Sequence, residues 1–180
     1  MIHAVTNGFG LPDCIQEKIL SALPVVDAVC IREKQLSDRE LGSKVESLLS
    51  RGVTPEKLIL HSAPDLASFL PVRGVHFTEF DKRLAHFKEA FPDKLAGRSV
   101  HSADSAQRAE KDGADYLYFG HVFATPSKKG LPGRGLDALR EAAAAVSIPV
   151  IAIGGIHYGN IPSVRQAGAS GAAMISAFFK

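Results

Sequence analysis

The stretch YLYFGHVFATPSKKG, residues 116–130, changes character half way along. Tyr116–Gly120 is continuously apolar, the pattern of a strand covered on both faces. Beyond Gly120 the chain becomes a polar, cationic loop, and His121 sits where the strand surfaces. Downstream, GLDALREAAAAV (135–146) has the spacing of a helix, and PVIAIG (149–154) is a second apolar strand. Strand, loop, helix and strand in this order form the unit from which parallel sheets are built.

The same unit recurs along the chain. Further β-rich runs are IHAVT (2–6), VDAVCIR (26–32), KLILH (57–61), GVHF (74–77), GRSVH (97–101) and GAAMIS (171–176), which brings the total to eight. Ile15, Ile19, Leu20 and Leu23 share one face of a segment after Pro12, and Leu41, Val45, Leu48 and Leu49 do so in the next. Ser37 and Glu40 at the head of that second segment have the spacing of a capping box. SADSAQRAEKDGA (102–114) reads as a helix closed by Gly113, and NIPSVRQAGA (160–169) as a shorter one. Residues 64–94 carry the weakest pattern, short helices or irregular turns. Eight parallel strands allow closure into a (β/α)8 TIM barrel. The open doubly wound alternative lacks its Gly-rich signature, since TNGFGLPD after the first run does not fit G-x-G-x-x-G. The expectation is one barrel domain over 1–180. Only AFFK follows the eighth strand, so the eighth helix is expected to be missing or vestigial.

Composition narrows the function. Apolar residues make up 46% and charged residues 22%, an ordinary globular balance. A formal charge of +2 gives no field-based case for nucleic acid or a membrane surface. No apolar run reaches the roughly 20 residues of a membrane span, and MIHAVTNGFG has no signal-peptide character. Cys14 and Cys30 are the only cysteines and read as reduced thiols of a cytoplasmic protein.

In such barrels chemistry gathers at the C-terminal ends of the strands. His61, His76, His101, His121 and His157 all fall at or just after such ends, five of the seven histidines. His76, in a short buried run, reads as a core histidine. No H-x-H or H-E-x-x-H spacing supports a metal centre, so no metal ligand and no cofactor are expected. In IAIGGIHYGN (151–160) two glycines end a strand shortly before a helix, where backbone N–H groups can approach an anion. The phosphate loops expected after strands seven and eight are Gly154–Gly155–Ile156 and Ser176–Ala177. Lys128 and Lys129 after strand six read either as solvated surface or as further anion contacts, and Arg32 and Lys34 after strand two either as cations facing the mouth or as a salt-bridged rim.

Taken together these motifs resemble the thiamin phosphate synthase superfamily. The resemblance rests on IREK (31–34), GVHF (74–77), SVHS (99–102), GADYLYFGHVFATPSKKG (113–130), PVIAIGGI (149–156) and MISAF (174–178). The synthase branch of that superfamily joins a pyrimidine pyrophosphate to thiazole phosphate with magnesium. This sequence departs from the synthase pattern in three places. Cys30 stands for a Gln. His61, Ser62 and Ala63 stand for N-D-R, whose Asp is a magnesium ligand. His121 stands for a Pro after strand six. In the strand-four loop, TEFD leaves Asp81 as a survivor of the pattern.

The last departure resembles the TenI-type thiazole tautomerases. That branch implies a cofactor-independent isomerase of thiamin biosynthesis in which His121 is the acid–base residue, moving a proton on a carboxylated thiazole phosphate. The phosphate would be held at Gly154, Gly155, Ile156, Ser176 and Ala177. Ser127, Lys128 or Lys129 would hold the carboxylate, with Arg32, Lys34 and His101 as further contacts. The alternatives are the magnesium-dependent synthase and a non-catalytic phospho-ligand-binding regulator. The superfamily also implies a homodimer.

Overall fold

A computed structural model of the protein describes residues 1–128 and 130–179. Eight strands form a closed barrel in sequence order. They are β1 (Ile2–Val5), β2 (Ala28–Ile31), β3 (Leu58–His61), β4 (Gly74–Phe77), β5 (Leu95–Val100), β6 (Tyr116–Gly120), β7 (Val150–Ile153) and β8 (Gly171–Met174). Every neighbouring pair is parallel, and β8 closes on β1 with Ala173 opposite His3. Around the barrel run α1 (Asp13–Ala22), α2 (Asp38–Ser50), α3 (Pro64–Phe69), α4 (Leu84–Ala90), α5 (Ala103–Lys111), α6 (Gly135–Ala144) and α7 (Ile161–Gln166). Among the described residues β8 leads into a turn and no helix follows it.

Local sequence explains several boundaries. The Ser37 hydroxyl accepts from the Glu40 N–H, and the Glu40 carboxylate accepts from the Ser37 N–H at 2.9 Å, the expected capping box of α2. Ser102 caps α5 by accepting from the Ser105 N–H. Gly113, at φ +92°, ends that helical segment in the left-handed region that glycine occupies without strain. The weak stretch 64–94 resolves into α3 and α4, of 6 and 7 residues, too short to display a helical period.

Alternation along the strands divides two interiors. Leu58, Leu60, Leu117 and Phe119 point outward into the layer between barrel and helices and join the main apolar core. Val5, Cys30, Ile59, Tyr116, Tyr118 and Ile151 form a second cluster in the barrel lumen. Barrel lumens are usually filled by branched aliphatics. Here two tyrosines, with His3 and His76, take much of that space. Gly97 makes room for them, because a Cβ there would fall inside the Tyr116 ring.

Candidate functional site at the barrel mouth

The C-terminal ends of β2 and β6 bring cations together. Arg32 follows β2 with its backbone fixed by the Thr6 hydroxyl, which accepts from the Arg32 N–H at 2.8 Å. Lys34 is exposed two residues on. Its ammonium pKa is lowered first by Arg32, then by burial, then by Lys128 from the β6–α6 loop. Repulsion of this kind means that the three cations share one field. Among the described residues none of them has a carboxylate partner. Glu33, between two of them, instead accepts from the Gly10 N–H at 2.7 Å and from the Gln35 amide at 3.0 Å. The salt-bridged rim, one of the two readings of Arg32 and Lys34, is therefore not formed among the described residues.

His61 at the end of β3 feels the same field. Burial, then Arg32 and Lys34, push its imidazole down to about 4, so it is neutral at pH 7. Its Nδ1 bonds the Ser62 hydroxyl at 2.9 Å. Ser62 has φ 59° and is the one non-glycine residue in the left-handed region among those described. Its N–H is tied to the His76 carbonyl at 2.9 Å. His76 is fully buried and bonded by the hydroxyls of Tyr116 and Ser99. It is a core histidine as expected, with side-chain partners on both nitrogens.

The two phosphate loops lie side by side because β7 pairs with β8. Among the described residues the N–H groups of Gly155, Ile156, Ser176 and Ala177 donate to no protein acceptor. Gly154 and Gly155 have φ +93° and +67°. They also press against the loop after β6. A Cβ on Gly154 would overlap His121, and one on Gly155 would lie 2.7 Å from the Ala124 carbonyl oxygen and from Phe123 Cβ. Phe123 in turn donates its N–H to the Gly154 carbonyl. A 3-10 turn, Tyr158–Asn160, begins two residues beyond Ile156 and runs into α7, which has only 6 residues.

The remaining candidates are more scattered. His121 is half-buried, with Nε2 3.4 Å from the Leu131 carbonyl oxygen and its own carbonyl accepting from the Arg134 N–H. Ser127 and Lys128 are exposed in a short 3-10 turn, and Lys129 lies outside the described residues. His101 bonds the Val100 carbonyl through Nδ1, and its Nε2 lies 3.9 Å from Glu79. Asp81 is held by three Arg83 donors, its N–H, Nε and Nη2, at 2.7–3.0 Å. These hydrogen bonds keep its carboxyl below the usual range despite partial burial. Sequence reading left Glu33, Ser99 and Arg83 unassigned. Ser99 lies inside the quoted SVHS motif, so the strand-five pattern was the available signal.

A chain with this barrel and mouth has close relatives of known name. Residues 4–178 match the family model described as thiamine monophosphate synthase. A thiamine-phosphate synthase of Desulfitobacterium hafniense is 41% identical over 152 residues, 82% of this chain and 72% of that protein. One from Clostridium tetani is 30% identical over 176 residues, 96% and 82% of the two chains. The solved thiamine phosphate pyrophosphorylase from Pyrococcus furiosus superimposes with a TM-score of 0.80 at 32% identity, covering 98% of this chain and 85% of that one. These likenesses overturn the expectation of a TenI-type thiazole tautomerase and of an isomerase. That expectation rested on three local departures, at Cys30, at Ser62 and, pointing to the tautomerase branch, at His121, whereas the synthases match across the whole barrel. The departures at Cys30, Ser62 and His121 remain as local differences within the family. No helix among the described residues is long and apolar enough to cross a membrane. The chain belongs to the thiamine monophosphate synthase family.

Proposed function

We propose that the protein binds thiazole phosphate at the barrel mouth and joins a pyrimidine to it with release of pyrophosphate. The observation that carries the reading is the set of three cations, Arg32, Lys34 and Lys128, with no anionic partner among the described residues, beside loop amides unbonded among them. Unneutralised cations that repel one another are stabilised by a polyanion. The free amides of Gly155, Ile156, Ser176 and Ala177 suit the thiazole phosphate, and the cations suit the pyrophosphate that leaves. Fixing both phosphates would position the reacting atoms through binding energy gained away from them.

Magnesium is implied by the synthase pattern, but the donor set does not fit it. Magnesium favours carboxylate oxygens in an octahedral shell. Ser62 offers a hydroxyl already bonded to a neutral imidazole. The Asp81 carboxylate is already engaged by Arg83. Among the described residues no three His, Cys, Asp or Glu side chains are grouped to hold a metal ion. In this proposal the phosphate charge is met by Arg32, Lys34 and Lys128. Exposed Cys14 and buried Cys30, both free, suit a reducing compartment, and the proposal places the protein in the cytoplasm as a homodimer.

The test is to incubate the protein with pyrimidine pyrophosphate and thiazole phosphate, in excess chelator and in magnesium, and to measure thiamine phosphate by chromatography. Product in either condition supports the proposal. No product in both, with thiazole phosphate still bound, overturns it in favour of a non-catalytic phospho-ligand-binding barrel.

A further inference from the structure

One buried imidazole is tied on both sides. His76, on β4, is fully buried. Its Nδ1 lies 3.1 Å from the Tyr116 hydroxyl, and its Nε2 lies 2.9 Å from the Ser99 hydroxyl. Tyr116 is buried in the lumen, whereas Ser99 is half-buried at the mouth end of β5. Among the described residues neither hydroxyl has a second hydrogen-bond partner. The Tyr118 hydroxyl is committed elsewhere, to His3 Nδ1 at 2.7 Å.

We infer that Tyr116 and His76 hold the Ser99 hydroxyl as a hydrogen-bond donor to a ligand at the barrel mouth. The proton count fixes this direction. A phenol carries one proton, and the acceptor it meets is His76 Nδ1. The opposite assignment, Nδ1–H donating to the Tyr116 oxygen, would strand the phenol proton in the lumen without an acceptor. A neutral imidazole whose Nδ1 accepts carries its own proton on Nε2. That N–H donates to the Ser99 oxygen. The Ser99 proton then has no protein acceptor among the described residues and turns to the mouth.

Burial keeps both buried groups uncharged, as this count requires. It drives the Tyr116 phenol well above its usual range and the His76 imidazole well below its own. Tyr116 and His76 are thus positioning residues that act through Ser99. A free serine offers a ligand either its proton or its lone pairs. Here that choice is made before the ligand arrives, so less freedom is lost on binding. The ligand atom above Ser99 is an unprotonated acceptor, a phosphate oxygen or a pyridine-type ring nitrogen. The identity of the ligand rests on the function proposed above; the direction of the hydroxyl does not.

Two-bond 1H–15N correlation NMR of the ligand-free protein, labelled with 15N-histidine, reads the His76 tautomer. The Nε2–H form is expected; the Nδ1–H form would turn the Ser99 proton inward and overturn the inference. Calorimetry with inorganic pyrophosphate and with pyrimidine pyrophosphate reads the ligand. Ser99→Ala is expected to weaken binding about three- to tenfold, the loss of one hydrogen bond. Loss with both probes identifies a phosphate oxygen as the acceptor, and loss with pyrimidine pyrophosphate alone identifies a ring nitrogen. Unchanged affinity for both overturns the donation and leaves the proposed reaction standing. Conversely, absence of product with the expected tautomer and binding loss would sink the reaction alone. His76→Phe keeps a ring in the lumen but frees the Ser99 hydroxyl, and is expected to weaken binding about threefold. In the Ser99→Ala background it should change affinity by less than about twofold. A full threefold loss there would mean that His76 acts on the mouth by another route, which overturns its positioning role. Should His76→Phe not fold, the tautomer and the Ser99→Ala affinities decide the matter.

Discussion

The two ends of the barrel are both charged, yet they use charge in opposite ways. At the floor, Lys57 donates to the carbonyls of Leu23 and Val26, and Lys94 to those of Leu70 and Val72. Lys88 pairs with Asp115 at 2.9 Å, and Arg73 reaches the Asp27 carbonyl at 3.4 Å. These cations close the C-terminal ends of helices and loops, where carbonyls lack partners. The floor also holds a hollow of about 710 Å³ between Asp27, Lys57, Arg73 and Lys94. At the mouth Arg32, Lys34 and Lys128 have no such duty. Charge alone does not set the proposed binding site apart; unspent hydrogen-bonding capacity among the described residues does.

The largest expected effect tests the limit of that contrast, because parts of the mouth are structural too. Gly155→Val places a β-branched residue at positive φ and drives its Cβ into the β6–α6 loop. Backbone strain and overpacking each cost about 1–3 kcal/mol. Thermal unfolding is expected to fall by about 10 °C, with thiazole phosphate binding lost. An unchanged midpoint would mean that the loops can separate freely.

The floor supplies the next effect, through pH. Folding lowers the His3 pKa from 6.5 to about 4. Between those values the unfolded chain holds more protons, so stability rises with pH across the window. The contribution is complete above about pH 6.5 and is lost as pH falls toward 4, amounting to roughly 3 kcal/mol. Urea unfolding of His3→Phe is expected to show a shallower decline from pH 7 to 4.5 than wild type. Parallel curves would place the acid sensitivity elsewhere, with His61 as the first candidate.

A matched pair of substitutions addresses the contrast itself. Arg32→Met is expected to weaken pyrophosphate binding by about 10- to 100-fold, the loss of one or two charge-assisted bonds, with little change in Tm. Lys94→Met is expected to lower Tm by a few degrees and leave pyrophosphate affinity alone. Calorimetry and thermal unfolding read both. If the two variants exchange phenotypes, the division of labour between the ends is wrong. The smallest effect concerns metal: pyrophosphate affinity in chelator and in magnesium should agree within about threefold. A tenfold loss in chelator would return magnesium to the mouth.

Much of this was legible in the sequence, for identifiable reasons. Strands buried on both faces read as unbroken apolar runs, so eight of them could be counted and the barrel inferred. The α2 capping box was visible because its two residues lie three apart. Arg32, Lys34 and the glycine pair were visible because strand ends locate a mouth. What stayed hidden depends on pairing across the chain. His3 and Tyr118 are 115 residues apart, and a doubly buried strand shows no alternation to tell lumen from outer face. That Arg32 has no carboxylate partner among the described residues is likewise not a property of any local motif. The functional branch was misread because a few local departures, Cys30, Ser62 and above all His121 at a loop start, were set against similarity spread over the whole barrel.

The contact between Gly155 and Phe123 has a consequence for measurement. Two loops that share a packed surface and the Phe123–Gly154 hydrogen bond do not respond to change independently. Substitutions at Phe123 and at Gly155 should show a coupling of about 0.5–3 kcal/mol in a double-mutant cycle. The residues after β6 and β7 would then be altered by selection or by design as one unit.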